Sequence, residues 1–234
     1  MTNKNSKIIR NLTVQVKTAK GRSLSSVRWL QRQLNDPYVQ MAKAEGYRSR
    51  AAYKLIEINE KFKILKKGQV VADLGAAPGG WSQVVAKEIV LGKPWGGKLL
   101  AIDLLEMQPI LGANILQQNF LDLSSEEMYN WLGESKLDVV LSDMAASASG
   151  HTQTDHIRIM QLCEDVFLFA KDHLKEGGSL VAKILQGGTE GELLTSLKRN
   201  FKQVKHFKPK SSRSDSAEMY VVCLGFKANG EKAC

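Results

Sequence analysis

The chain has 234 residues, 43% of them hydrophobic and 24% charged, and carries a net charge of +9. It is long enough for one substantial core; with no apolar run of membrane-spanning length and no signal-peptide pattern, it reads as soluble and cytoplasmic rather than membrane-bound. Cys163, Cys223 and Cys234 lack C-x-x-C spacing, and His151 and His156 are not at helical ligand spacing, so neither a disulfide framework nor a metal site is expected.

The charge is segregated. Residues 1–54 hold twelve Lys/Arg against only Asp36 and Glu45, and residues 198–213 hold seven basic residues and no acidic one. The stretch between them is acidic overall. Two basic segments flanking an acidic body suit a polyanion, since each phosphate contact releases counterions, whereas evenly spread charge serves only solubility.

Residues 1–22 lack acidic groups and sustained periodicity and are expected to form a flexible basic arm, with residues 23–234 a single domain. A mitochondrial transit peptide would also be poor in acids, but this arm has more Lys than Arg and little Ser. From Ser23 the pattern is helical, with Val27, Leu30 and Leu34 on one face and Arg28 and Arg32 on another. Pro37 opens a second helix that Gly46 closes, and a third, Ser49 to about Lys61, buries Ala52, Leu55, Ile56 and Ile58. These helices, to about residue 66, together with Arg48 and Arg50, are the expected RNA-binding part.

Strands and helices then alternate. Strands are expected over 69–74, 98–104, 114–120, 138–144 and 179–185, followed by a late pair over 203–207 and 219–226. Helices are expected over 79–91, from the Ser124-x-x-Glu127 capping box to Gly133, over 155–175 with Gly177-Gly178 as terminator, and over 190–200. This is a doubly wound α/β sheet.

The turn after the first strand, Asp73-Leu74-Gly75-Ala76-Ala77-Pro78-Gly79-Gly80-Trp81-Ser82, lets backbone approach a ligand closely. Gly75 and Gly80 have Walker A spacing, but Trp81-Ser82 stands where Lys-Ser/Thr is required. Ala77 breaks the dinucleotide fingerprint, which disfavours a nicotinamide-dependent dehydrogenase. A nucleoside without phosphates fits better.

Ligands of open α/β sheets bind beyond the carboxyl ends of the strands. The polar residues there are Asp73, Asp103, Asn119, Asp143, Lys183 and, opening the last strand, Glu218. Asp103 is placed to accept ribose hydroxyls, and Asn119 to hydrogen-bond an adenine edge. Trp81 either walls the pocket or is a core aromatic. Lys183 lies in an otherwise apolar strand, where a lysine is costly unless paired or used, and Asp143 is its expected partner. Lys54 is a catalytic group or an ordinary lysine of a basic helix.

With these residues in hand, the chain resembles the FtsJ family of S-adenosylmethionine-dependent ribose 2′-O-methyltransferases, and within it the bacterial branch acting on large-subunit ribosomal RNA. The likeness rests on Ser26-Val27-Arg28-Trp29-Leu30-Gln31, Tyr47-Arg48-Ser49-Arg50-Ala51-Ala52-Tyr53-Lys54-Leu55, the glycine turn, Leu141-Ser142-Asp143-Met144-Ala145, Val181-Ala182-Lys183, Ser211-Ser212-Arg213 and Glu218-Met219-Tyr220. The resemblance implies a catalytic set of Lys54, Asp143, Lys183 and Glu218, cofactor contacts from Gly79, Trp81, Asp103 and Asp143, and a mostly parallel seven-stranded Rossmann-like sheet with an antiparallel pair at its edge. It also implies a uridine of 23S ribosomal RNA as target, in the assembled 50S subunit, and a monomer. Transfer RNA is the alternative substrate, and an RNA-binding assembly factor without chemistry the alternative class.

Two positions depart from the family pattern. Asn119 replaces the usual acidic residue, and Ala145-Ala146-Ser147-Ala148 lacks the usual proline and asparagine. Lys183 is the candidate to take the 2′-hydroxyl proton. Burial and Lys54 favour its neutral form while Asp143 and Glu218 oppose it, so base and alkoxide stabiliser both stay open.

Overall fold

The computed structural model describes residues 14–16, 20–145, 151–186 and 191–228, with backbone alone at 152 and 153. Helices α1 (Leu24–Asn35), α2 (Pro37–Glu45) and α3 (Ala52–Phe62) precede β1 (Val70–Leu74), α4 (Gly80–Glu88), β2 (Lys98–Asp103), β3 (Asn114–Gln117), a 3₁₀ turn (Phe120–Asp122) and α5 (Ser125–Leu132). Then come β4 (Leu137–Ser142), α6 (Thr152–His173), β5 (Leu174–Leu185), α7 (Glu192–Asn200), β6 (Phe201–Phe207) and β7 (Glu218–Phe226). The strands form one sheet in the order β3-β2-β1-β4-β5-β7-β6, with β1 to β5 parallel and β7 antiparallel to both its neighbours.

Alternation along the strands makes three layers. Val71, Val139, Leu141, Val181 and Val222 pack with Leu55, Ile58, Val84 and Val85 of α3 and α4. Their sequence neighbours Ala72, Val140, Leu180, Ala182 and Val221 pack with Met128, Val166, Ala170 and Leu197 of α5, α6 and α7 on the opposite face.

The N-terminal helices are peripheral. Ser23 caps α1, yet α1 has no fully buried residue; Val27 and Leu30 are half-buried and Leu34 lies exposed. Of the expected arm, residues 14–16 lie along α1: the Val14 N–H donates to Asn35 Oδ1 at 2.7 Å, the Val16 N–H to Gln31 Oε1 at 3.1 Å, and the Val14 carbonyl accepts from both amides. Residues 1–13 and 17–19 lie outside the described residues, as do Ala146–Ala148.

Some boundaries differ from the sequence expectation. The long helix stops at His173 rather than running to Lys175, because Leu174 is buried and pairs with Leu137, which requires extended backbone there; the Gly177-Gly178 stretch falls inside β5. The third strand ends at Gln117, short of residue 120, because the Asn119 side-chain oxygen accepts the Leu121 N–H at 3.1 Å and turns the chain into the 3₁₀ segment. The helix after the glycine turn ends at Glu88, ahead of Leu91, with Val90 in the left-handed region at φ 58°.

Candidate active site

Four charged side chains converge where α3, β4, β5 and β7 meet. Lys183 on β5 stands directly across from Tyr220 on β7, and Leu185 across from Glu218, so Lys183, Tyr220 and Glu218 share one sheet face by the two-residue period. Asp143 follows the end of β4 beside them, and Lys54 descends from the first turns of α3. Lys183 Nζ lies 2.9 Å from Asp143 Oδ1 and donates to the Asp143 carbonyl at 2.8 Å. Lys54 Nζ is 3.5 Å from both Asp143 Oδ1 and Glu218 Oε2, and Lys183 is 3.6 Å from Glu218 Oε1. The structure therefore brings together all four residues of the expected set, and both lysines are 7% exposed.

Two opposite pairs at such depth satisfy each other. Burial would raise the Asp143 carboxyl, but Lys183 and Lys54 outweigh it and hold the group below its ordinary value. Glu218 is lowered in the same way. For Lys183, burial favours the neutral amine, yet Asp143 and Glu218 prevail and raise its pKa, keeping the ammonium form.

Tyr220 belongs to this cluster although sequence reasoning did not single it out. It is fully buried, donates from its hydroxyl to Asp143 Oδ1 at 2.5 Å, and packs against Trp81 in a tilted arrangement with ring centroids 5.6 Å apart. The signal for it was its position two residues beyond Glu218 in one strand, hence on the same face. Trp81 resolves as both expectations at once: 3% exposed with its indole N–H donating to the Ala51 carbonyl, it is a core aromatic that also walls a cleft.

That cleft, about 50 Å³, lies against the glycine turn and is lined by Ser49, Asp73, Gly75, Pro78, Trp81 and Asp143 among others. A side chain is disfavoured at Gly75 and Gly79, where the turn holds left-handed backbone. Gly75 sits at φ 74°, and a Cβ there would come 2.0 Å from Met144 Cγ; Gly79, at φ 106°, would strike the Arg48 guanidinium. Asp103 closes β2 across from the turn, its two oxygens each accepting one backbone N–H, from Ala77 and from Leu105, both at 2.8 Å. Each carboxylate oxygen keeps a lone pair for another donor. Asp73, 1% exposed, accepts from Ser82 Oγ at 2.6 Å, and its carboxyl is raised to about 7, chiefly by burial, with the Ser82 bond opposing and Asp143 and Asp103 adding. The Ser49 hydroxyl, also on the cleft, is buried with no hydrogen-bond partner among the described residues. Asn119 lies beyond β3, next to the Asp103 side of the sheet, and does not line this cleft.

Arg48 and Arg50, both in the expected RNA-binding part, are also engaged within the fold. The Arg48 guanidinium donates to the carbonyls of Pro78, Gln108 and Pro109 at 3.3, 2.7 and 2.8 Å, tying the helical segment to both loops that flank the cleft. Arg50 pairs with the buried Asp36 at 3.0 Å and donates to the Ser211 carbonyl at 2.5 Å. Backbone acceptors and a buried carboxylate have claimed both guanidinium groups, which sequence-local charge counting does not register.

On the far side of Lys54 and Glu218 opens a larger cavity of about 440 Å³, rich in arginine. The four-residue cluster thus lies between two cavities, one set against the glycine turn and one against basic side chains.

Comparison with known proteins agrees with this architecture. The FtsJ-like methyltransferase model matches residues 47–226. Proteins named ribosomal RNA large subunit methyltransferase E from Ruegeria sp. (strain TM1040) and Parvibaculum lavamentivorans (strain DS-1) are each 56% identical to this chain. The alignments cover 93% and 95% of it and 93% and 90% of the relatives. A solved Plasmodium falciparum structure, classed as a ribosomal RNA methyltransferase, superposes with a TM-score of 0.67 at 33% identity, over 77% of this chain and 98% of its own. The chain belongs to the FtsJ-like methyltransferase family.

Proposed function

We propose that this protein transfers a methyl group from S-adenosylmethionine to the 2′-hydroxyl of a uridine in large-subunit (23S) ribosomal RNA, acting as a cytoplasmic monomer on the assembled 50S subunit. The observation that carries this reading is the Lys54–Asp143–Lys183–Glu218 cluster set between a cleft at the glycine turn and a larger cavity rich in arginine. The names of the bacterial relatives supply the large-subunit substrate.

The residues at the glycine turn fit the cofactor. The Asp143 carboxylate favours a cationic group, Asp103 accepts ribose hydroxyls, and the Ser49 hydroxyl, without a partner among the described residues, offers one further donor. Gly79 and Trp81 form turn and wall, and Asn119 is the residue assigned to the adenine edge. The cleft is smaller than a nucleoside, and the pliable Met144 side chain over Gly75 is the part of its wall able to give way. When bound, the cofactor supplies an electrophilic methyl carbon on a sulfonium.

The chain's own residues position and polarise the acceptor. Lys183, fixed by two contacts to Asp143, holds its ammonium where negative charge develops on the hydroxyl oxygen, and Lys54 adds a second cation beside it. With its pKa raised, Lys183 serves first as an alkoxide stabiliser, and the 2′-hydroxyl proton leaves to bulk water. Tyr220 and the lysines keep Asp143 in one orientation.

The test is incubation with labelled cofactor and three substrates: large subunits lacking the modification, protein-free ribosomal RNA and bulk transfer RNA. Label confined to one ribose of the large-subunit RNA is expected. Preferential labelling of transfer RNA would reassign the substrate, and no labelling with intact RNA binding would favour an assembly factor.

A further inference from the structure

The stretch between the two basic segments is acidic overall, yet residues 61–68 and 87–98 within it carry seven lysines against Glu88 alone. The fold brings these two runs together. The first closes α3 and leads into β1; the second closes α4 and leads into β2. The Gly68 and Gly97 N–H groups both donate to the Ile89 carbonyl, at 3.1 and 2.9 Å, and the Lys98 N–H donates to the Gln69 carbonyl at 3.0 Å. In the second run the Gly96 N–H closes a turn onto the Lys93 carbonyl at 2.8 Å, which sets Pro94 and Trp95 at its two central positions. Trp95 is 59% exposed at the tip of this turn, and Lys67 Nζ lies 5.3 Å from its ring centre.

This face lies at the other end of the sheet from the candidate catalytic cluster. β1 and β2 start here and finish at the glycine turn and at Asp103; the five residues of β1 put roughly 16 Å between the two ends, at about 3.3 Å each. Lys63, Lys66, Lys67 and Lys93 are exposed and make no ion pair among the described residues, while Glu88 accepts from Asn59 Nδ2 at 3.2 Å. Trp95 is the one large apolar side chain exposed in these two runs among the described residues. A single ring is too little for a face that inserts into lipid, but it is what one stacked base requires, and lysines without counterions suit the phosphates on either side of that base.

We propose that this face is a second RNA contact, where an unpaired base of the large-subunit RNA stacks on Trp95 and the flanking phosphates meet Lys66, Lys67 and Lys93. The inference rests on the RNA-methylating reading above and adds to it a contact remote from the methylated ribose. The proline-initiated turn and Lys67 hold the indole ready, so little ordering is needed when the base arrives. An RNA must reach both ends of the sheet to use this contact, which favours a large folded substrate over a short strand.

The experiment uses the full-length protein and a protein-free transcript of large-subunit ribosomal RNA, with affinity read by filter binding across a salt series. Combined Lys66→Ala, Lys67→Ala and Lys93→Ala are expected to weaken binding about tenfold at low salt and to flatten the slope of log K against log [salt] by about 0.7–0.9 per lost phosphate contact. Trp95→Ala should weaken binding about tenfold with the slope kept, and Trp95→Phe should recover most of the loss. Lys171→Ala, exposed on α6 in the opposite layer, is the charge control and should match the wild type.

A triple variant whose slope equals that of Lys171→Ala, or Trp95→Ala binding as the wild type does, would overturn the proposal. Intact large subunits are the second arm: a triple variant that binds naked RNA normally but loses affinity for subunits assigns the face to a ribosomal protein and overturns the RNA contact. Vesicles of anionic phospholipid are the third, since binding that Trp95→Ala abolishes, with RNA affinity unchanged, overturns it in favour of a lipid surface. Methylation assays keep the two readings apart. If the wild type leaves large-subunit RNA unlabelled while the variants still bind it more weakly, the substrate assignment falls and the contact stands; if it labels that RNA and the variants match Lys171→Ala, the contact falls alone.

Discussion

The glycine-turn cleft and the arginine-lined cavity both touch Ala51 and the same four-residue cluster, yet they are built from different materials. The cleft is made by the sheet itself. Its walls are backbone of the turn after β1 and side chains anchored in the core, and its charges are carboxylates. The cavity is made by additions to the sheet, namely α1 and the β6–β7 connection, and its charges are mainly guanidinium groups held by ion pairs that cross long stretches of sequence. A ligand of fixed shape is met by backbone that has nowhere else to go. On the reading proposed above, a polyanion of variable path meets long side chains aimed from peripheral elements, which α1 supplies without being buried itself.

The sharpest break in this comparison is at the shared centre. Lys183→Ala should reduce single-turnover methyl transfer by about 10²–10⁴-fold while leaving cofactor and RNA affinity within a fewfold, because the lost interaction arises in the transition state. Lys183→Arg discriminates the two roles of this lysine: activity clearly above that of the alanine variant supports charge stabilisation, and an equal loss would restore Lys183 as the proton acceptor, since guanidinium stays protonated.

A smaller effect is expected at Arg48, which ties the helical segment to the loops beside the cleft. Arg48→Gln removes a charged donor shared by the Pro78, Gln108 and Pro109 carbonyls. Bonds to charged groups contribute about 1.5–3 kcal/mol when sheltered and less at this partly exposed site, so cofactor affinity should fall roughly tenfold, with a lower melting temperature. Calorimetry and thermal melts check this, and the RNA salt slope should stay at the wild-type value. A changed slope with unchanged cofactor affinity would return Arg48 to the RNA surface.

The smallest effect is one of pH. Asp73 is raised to about 7 from an ordinary value of 3.8, so between about pH 4 and 7 the folded protein keeps a proton that the unfolded chain has lost. Stability from this group therefore declines as pH rises through that window. Asp143 and Glu218, both depressed, act with the opposite sign at lower pH, their contribution being lost as they protonate. Relative to Asp73→Asn, the wild-type melting temperature should fall by a few degrees between pH 5 and pH 8, at about 2–4 °C per kcal/mol for a chain of this size. A difference that stays flat with pH would mean that Asp73 is ionised throughout and already part of the acidic wall.

Much of this was legible in the residues taken in order. The apolar runs of β1, β4 and β5, the capping box before α5 and the glycine turn are local patterns, and local patterns suffice to order the elements and to mark strand-end carboxylates as candidates. The family motifs, likewise contiguous, pointed to Lys54, Asp143, Lys183 and Glu218, which the fold brings within 3.6 Å contacts. Three things were decided only in three dimensions. The long helix gives way at Leu174 because Leu137, far back in the chain, is its pairing partner. Tyr220 joins the site because antiparallel pairing sets it opposite Lys183 and within reach of Asp143. And four arginines that look alike in a basic segment separate into Arg48 and Arg50, bound to distant carbonyls and a buried acid, and Arg28 and Arg32, which face solvent. A charge is visible in sequence, but whether it is spent depends on which acceptors lie beside it, and those arrive from other parts of the chain only when it folds.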